Sequence, residues 1–419
     1  MACRWSRAVP SAGAFAFRRF FAAALLCAAL PFAPSIEAAQ DLQALIDAAP
    51  PNGELRLPPG RYAGPVRIDK PLTLDGQGRA VIDNGGKGTV LTLHASGAVV
   101  RGLALRGSGV SNDAMDAGIR IEGDDNLVEG NVLEDVLFGM EIQQGDRNRI
   151  RGNRITGKNL EVGLRGDGIR LWNSRGNVVE GNTLARVRDV TLANSAGNRI
   201  AANRIDDARY AIHAVFSPGT VIERNRISNT ETGIVVLYSE GAAIRGNRLR
   251  DVSGGGGACV TFKDSGEGLV EGNDFLHCAT GLLANAPLST ERVLTVRENV
   301  FAFNTVGIFL YGEQGGHRIT RNRFENNLSQ VVTSGPGVGS ANVWHANYWS
   351  DYQGFDRNHD GVGDTPYELN FYADRIWMEI PKAKFFANSP AFELLDFLER
   401  LAPFSAPHTI LRDAAPRMN

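Results

Sequence analysis

One run of oxygen-bearing side chains stands out in the 419-residue chain: Asp356, Asn358, Asp360 and Asp364, with Gly361 and Val362 between them. Oxygen ligands at alternate positions, followed by a Gly that allows a sharp turn, match the opening of a calcium loop. Val362 would offer a backbone carbonyl there and Asp364 would complete the set. The bidentate Glu that closes an EF-hand is missing, since Tyr367 stands at its place. The expectation is therefore a calcium-like turn for a hard cation, Ca2+ or Mg2+, set against an Asp/Asn-rich turn held by its own hydrogen bonds. A second chemistry, acid–base cleavage of a sugar chain, needs converging carboxylates and a cation for developing charge. Asp113, Asp116 and Glu141, or Asp167 with Arg170, are the available groups. They form no recognisable motif and read as solvated surface charge, so no catalytic residue is assigned and the chain is read as a non-enzyme, with an exported carbohydrate-active enzyme (polysaccharide lyase, hydrolase or epimerase) or a glycan-binding module as the alternative.

The elements that position these groups come from a repeat. Segments such as LVEGNVL (127–133), IRGNRI (150–155), VVEGNTL (178–184) and VIERNRI (221–227) recur ten times, with Asn at 131, 153, 182, 203, 225, 247, 273, 299, 322 and 347. The steps between them run from 21 to 29 residues. An apolar residue lies three before each Asn, from Val128 to Trp344, and another two after it, from Leu133 to Trp349. About eight residues further on comes a second short strand, as in GMEI (139–142) or GIFL (307–310), with period-2 alternation. Coils of about 22 residues with short strands and no helical stretch predict an all-β fold, a right-handed parallel β-helix. The Asn residues then form a structural ladder, tolerating left-handed backbone at a tight turn and hydrogen-bonding to the turn and to one another. Insertions fall near 158–165 and 253–257. Upstream, 42–48 reads as a short amphipathic helix that caps the open first coil. The capped solenoid is expected over 40–347, the aromatic-acidic loop over 348–384, and a C-terminal amphipathic helix and tail over 385–419.

Composition agrees with a solenoid. The 48 Gly carry no Gly-X-Y register and Pro is only 18, which excludes collagen, and 43% hydrophobic residues exclude disorder. A net charge of −2 excludes a globally basic nucleic-acid binder. Residues 1–39 differ from the rest: four Arg precede the apolar run from Phe20 to Ala33, with small residues at Ala38 and Ala39, which predicts a secretory signal peptide. Its removal leaves 40 basic against 45 acidic groups, a net −5, and only Cys259 and Cys278, which are compatible with one bridge in an oxidising compartment.

Beyond the loop, Ser389 and Pro390 open a helical pattern in which Phe392, Leu394, Leu395, Phe397, Leu398 and Leu401 make one apolar face, able to cap the solenoid or to dock on a partner. The ten-copy repeat, the segment NYWSDYQGFDRNHDGVGDTPY (347–367) and the tail NSPAFELLDFLERLAPFSAP (388–407) together resemble the NosD family. This family is the exported β-helix component of nitrous oxide reductase maturation. The resemblance implies a periplasmic, non-catalytic role beside the membrane permease and ATPase of an ABC-type complex, in copper-site assembly of nitrous oxide reductase, with a copper chaperone as associate. It also favours partner docking for Phe392, Leu395, Phe397, Leu398 and Leu401. Copper favours Met, Cys and His ligands. Met140 and Cys259 fall at inward positions, His277-Cys278 is the best local pair, and the other His residues are isolated in sequence, so direct copper ligands stay unassigned.

Overall fold

The computed structural model describes residues 41–254, 256–285, 292–312, 315–334, 338–370 and 409–418. The signal-type segment 1–39 and the helix pattern 389–401 lie outside them. The short helix Leu42–Ala48 opens the described chain. Asp41 caps it by accepting from the backbone N–H of Gln43 and Ala44, and Leu42 and Ile46 join the core. From there the chain winds as a parallel β-solenoid. A representative coil has three strands, Val178–Glu180, Thr183–Ala185 and Asp189–Ala193, and each lies parallel on its counterpart in the next coil, the third with a one-residue register shift between Asp189 and Thr191. Three parallel sheets result, here called first, second and third in the order the chain meets them.

The apolar positions predicted as core are the inward columns of the first two sheets. Val128, Ile150, Val179, Ile200, Ile222 and Ile244 stack in the first, and Leu133, Ile155, Leu184, Ile205 and Leu249 in the second, all buried. The second column turns aromatic towards the C-terminal end. Phe275, Phe301, Phe324, Trp349 and Tyr367 succeed one another at ring-centroid distances of 5.1, 5.0, 4.3 and 4.3 Å. Offset aromatic stacking adds to simple burial at these distances.

The Asn ladder joins the first sheet to the second. Each ladder Asn donates its backbone N–H to Oδ1 of the next at about 2.9 Å, from Asn131 to Asn153 and onward to Asn347. Each Nδ2 reaches a carbonyl of the preceding coil, as Asn203 does to Val179. The ladder Asn themselves are not left-handed, contrary to the expectation. The residue before each carries the positive φ: Gly130, Gly152, Gly181, Gly246 and Gly272, and non-glycine residues such as Ala202 and Arg224. The division is physical. Asn must keep its N–H and amide along the axis, so the neighbour makes the turn, and Gly does so without steric cost.

The ladder ends on a residue from far along the chain. Asp413 accepts from Asn347 N–H at 2.9 Å, Asn347 Nδ2 at 2.9 Å, Ala346 N–H at 3.2 Å and Trp349 Nε1 at 3.3 Å. It belongs to the strand Thr409–Asp413, which pairs antiparallel with Tyr367–Asn370 and meets Trp344 in parallel. The described C-terminal residues therefore extend the solenoid. A carboxylate suits the last rung because it only accepts, so it meets both the N–H and the side-chain amide of Asn347, whose Nδ2 also donates to Ile319 O, and presents no amide to a further coil.

Candidate functional site

The polar side chains that converge most closely lie outside the barrel, on the third sheet and on the corner leading into it. Register places Arg120, Glu141, Arg170, Thr191 and His213 on successive rungs of one outward column. The corner adds Asp167, Arg188, Asp189, Arg209 and Tyr210. Glu141 and Asp167 are fully buried and Asp189 nearly so. Arg120 Nε donates to Glu141 at 2.9 Å, Arg188 to Asp167 at 2.8 and 3.0 Å, and Arg209 pairs with Asp189. Burial raises the Asp167 pKa, the Arg188 charge opposing it. Burial lowers that of His213, whose ring meets Tyr210 edge-on at 5.3 Å.

Two chain segments hold this cluster. Arg120 Nη2 donates to the carbonyls of Ala114 and Met115 in the loop before its strand. In the insertion near 158–165, Arg165 donates to Leu160 O and to Asp207. The structure thus brings Glu141, Asp167 and Arg170 together, where sequence spacing left them scattered. Asp116 stays with its own loop and accepts from Ser111 N–H at 2.9 Å, and Asp113 is exposed. Asp189, Arg188, Arg209 and His213 were not foreseen. Their common signal was that successive coils carry charge at one corner, Asp167, then Arg188 and Asp189, then Arg209. The chemistry open to the site follows from burial. Its carboxylates sit beneath their arginines and cannot reach a substrate, whereas guanidinium, imidazole and phenol groups face outward.

The calcium-like residues do meet in one turn. Gly361 N–H donates to Asp356 at 2.9 Å, Val362 N–H to Asp360 at 2.8 Å, Asn358 Nδ2 to Asp360 at 2.8 Å and Arg357 N–H to Asp364 at 2.8 Å. The turn is tied to the C-terminal strand segment by Gly363 N–H to Pro416 O and Met418 N–H to Gly361 O. Phe392, Leu395, Phe397, Leu398 and Leu401 lie outside the described residues.

Soft metal ligands do not converge. Cys259 and Cys278 form a disulfide, which removes Cys278 from any pairing with His277. His277 lies beside Asp251 at 3.5 Å and Phe303. Met140 is buried in the core, His94 pairs with Glu122 at 3.0 Å, and His317 Nδ1 accepts from Leu294 N–H as a rung of a second ladder. Among the described residues no three His, Cys, Asp or Glu side chains are grouped closely enough to hold a metal ion, those of the calcium-like turn included, and the described His, Cys and Met do not converge as a copper site would require.

A three-sheet parallel solenoid with a polar cluster on an outer face defines a β-helix protein. Solved structures agree on the fold: a GH87 alpha-1,3-glucanase catalytic domain has a TM-score of 0.53 at 14% identity, over 71% of this chain and 65% of that one. The family 28 exopolygalacturonase of Yersinia enterocolitica has a TM-score of 0.50 at 11% identity, over 73% of each chain. The family is read from sequence. The family model described as "Periplasmic copper-binding protein (NosD)" matches residues 152–354. The "Probable ABC transporter binding protein NosD" of Pseudomonas aeruginosa is 33% identical over 387 residues, 88% of each chain. That of Stutzerimonas stutzeri is 30% identical over 376 residues, 84% of each. The chain belongs to the NosD family.

Proposed function

We propose that this chain is a non-catalytic periplasmic component of an ABC-transporter complex required for copper-site assembly in nitrous oxide reductase. The observation that carries the reading is similarity over 84–88% of the chain to relatives named as ABC transporter binding proteins. Copper is then cargo of the assembly, handled with a copper chaperone, and the solenoid is a scaffold. Two features support a scaffold. The carboxylates of the outer cluster are sealed under arginines, which leaves no acid–base pair for a glycan. Among the described residues no helix is long and apolar enough to cross a membrane, and the scaffold reading assigns contact with a permease to the solenoid surface or to the segment 371–408. A host lacking the chain should make reductase poor in copper, measured by metal analysis of the purified enzyme. Fully loaded, active reductase from that host overturns the reading, as does saturable polysaccharide cleavage by the purified chain.

We further infer that Asp356, Asn358, Asp360, Asp364 and the Val362 carbonyl draw together on a structural Ca2+ or Mg2+, exchanging hydrogen bonds within the turn for bonds to the ion. Calorimetry on chelator-treated protein should show saturable heat with at least one of the two ions. No heat with either removes the assignment.

A further inference from the structure

Arg170 differs from the other arginines of the outer cluster. Arg120, Arg188 and Arg209 each have a buried carboxylate. Arg170 follows Glu141 in register, yet it makes no ion pair or hydrogen bond among the described residues, and its Nε is buried without a partner. A half-buried guanidinium that pairs with no carboxylate keeps its donors unused in a site where water is partly excluded. Other groups on the same outer face also keep polar atoms unused: His213 stands two coils further on in the column of Arg170, and Tyr210 lies at the corner beside it with the Arg209 guanidinium 4.4 Å from its ring centre. Trp172 lies two residues along the same outward face, half-buried, with Ala193 as its neighbour in the next coil. An Ala there leaves room above the sheet beside the indole. The Tyr210 hydroxyl and the His213 ring nitrogens have no hydrogen-bond partner among the described residues. Beneath them, Glu141 Oε1 and Asp167 Oδ2 are also unpartnered.

These groups select a ligand by type. A free guanidinium fork calls for a carboxylate, which it binds in bidentate fashion. Phenol and imidazole both donate and accept, which suits hydroxyl groups. A half-exposed indole offers an apolar face for the C–H side of a ring. An acidic protein side chain would use the guanidinium and leave the other groups idle. We propose that Arg170, Trp172, Tyr210 and His213 form a binding site for a sugar acid, a hydroxylated ring bearing a carboxylate, either free or as a residue of a glycan. Arg170 binds the carboxylate, Trp172 carries the ring, and Tyr210 and His213 meet its hydroxyls. The proposal is independent of the transporter role, and no bond is made or broken.

The test is calorimetry of the full chain with galacturonate, its linear trimer, maltotriose and hexaglutamate. Galacturonate or the trimer should bind saturably and more tightly than maltotriose and hexaglutamate, and binding should weaken with salt. Equal affinity for monomer and trimer identifies a free acid as ligand; tighter trimer binding identifies a glycan. Arg170→Gln should weaken binding roughly 10- to 100-fold, as expected for loss of a charge-assisted pair. Trp172→Ala should weaken it roughly tenfold. Arg151→Gln, which breaks an ion pair on the first sheet instead, should leave it unchanged. Circular dichroism and melting of each variant separate a lost site from a lost fold. No binding of either uronate, hexaglutamate binding as tightly, or affinity untouched in folded Arg170→Gln and Trp172→Ala overturns the assignment.

Discussion

Asn203 serves both neighbouring coils with one side chain. Its Oδ1 accepts from Asn182 N–H at 2.9 Å and Asn182 Nδ2 at 3.0 Å, while its own Nδ2 donates to Val179 O and to Asn225 Oδ1. Asn203→Ala would strand buried groups in two coils at once where water has no access. A cost of about 2–4 kcal/mol follows from leaving such groups unsatisfied. Denaturant titration should show a lower midpoint with an unchanged slope. His213 supports a second residue-scale prediction. Burial depresses its pKa below the usual 6.5, so the unfolded chain takes up a proton before the folded one does. Its contribution to stability is complete above 6.5, falls as the pH drops from there towards the lowered native value, and is constant below that. Melting at pH 8 and pH 5 should therefore show a smaller acid loss in His213→Gln than in the parent chain. At this scale the ladder Asn were legible because ten copies repeat one grammar. Asp413 was not, because it stands 66 residues from the Asn347 it caps, and no local spacing signals a partner that distant. The outer cluster was hidden for a related reason: Glu141, Asp167 and Asp189 are one coil apart in space but more than twenty residues apart in sequence.

The strands themselves were readable from period-2 alternation bounded by turns, and so was the inward column of the second sheet. What the pattern could not supply was how rings of successive coils lie on one another. Phe301 stacks between Phe275 and Phe324, tilted against the first and nearly parallel to the second. Phe301→Ala opens a cavity in the middle of that stack, and a loss of about 3–5 kcal/mol is expected in chemical denaturation. The bridge between Cys259 and Cys278 works at the same scale. It ties the third-sheet strand Ala258–Lys263 to the end of the second-sheet strand of the next coil, Asp274–Cys278, over a separation of 19 residues. Constraining a loop of that length contributes about 3 kcal/mol. The Cys259→Ala/Cys278→Ala variant, or the parent chain with reductant, should unfold at a correspondingly lower denaturant concentration. An equal midpoint in both redox states would show that core burial alone holds this pair of coils. Two cysteines outside residues 1–39 allowed one bridge, but only the winding brings residues 259 and 278 to a Cα separation of 5.9 Å.

For the whole molecule, the described chain comes back to its own solenoid before it ends. Tyr367–Asn370 and Thr409–Asp413 pair at the last coil, so Asn370 and Thr409, which flank 371–408 in sequence, lie side by side near the ladder's terminal carboxylate. Capping and docking can then be separated. Asn370 and Thr409 are register partners, so a two-residue Asn-Gly turn can replace 371–408 and close the hairpin. That variant keeps Asp413 on Asn347 and should melt within a few degrees of the parent chain, about the spread of a 1 kcal/mol change in a protein of this size. If Phe392, Leu395, Phe397, Leu398 and Leu401 form the docking face for the permease and ATPase, the same variant should no longer co-purify with them from membranes. Truncation after Asn370 removes both functions. It leaves the N–H and amide of Asn347 and the indole of Trp349 without their acceptor, and should melt well below the hairpin variant. Continued co-purification of the stable hairpin variant would move the docking surface off 371–408 and onto the solenoid itself.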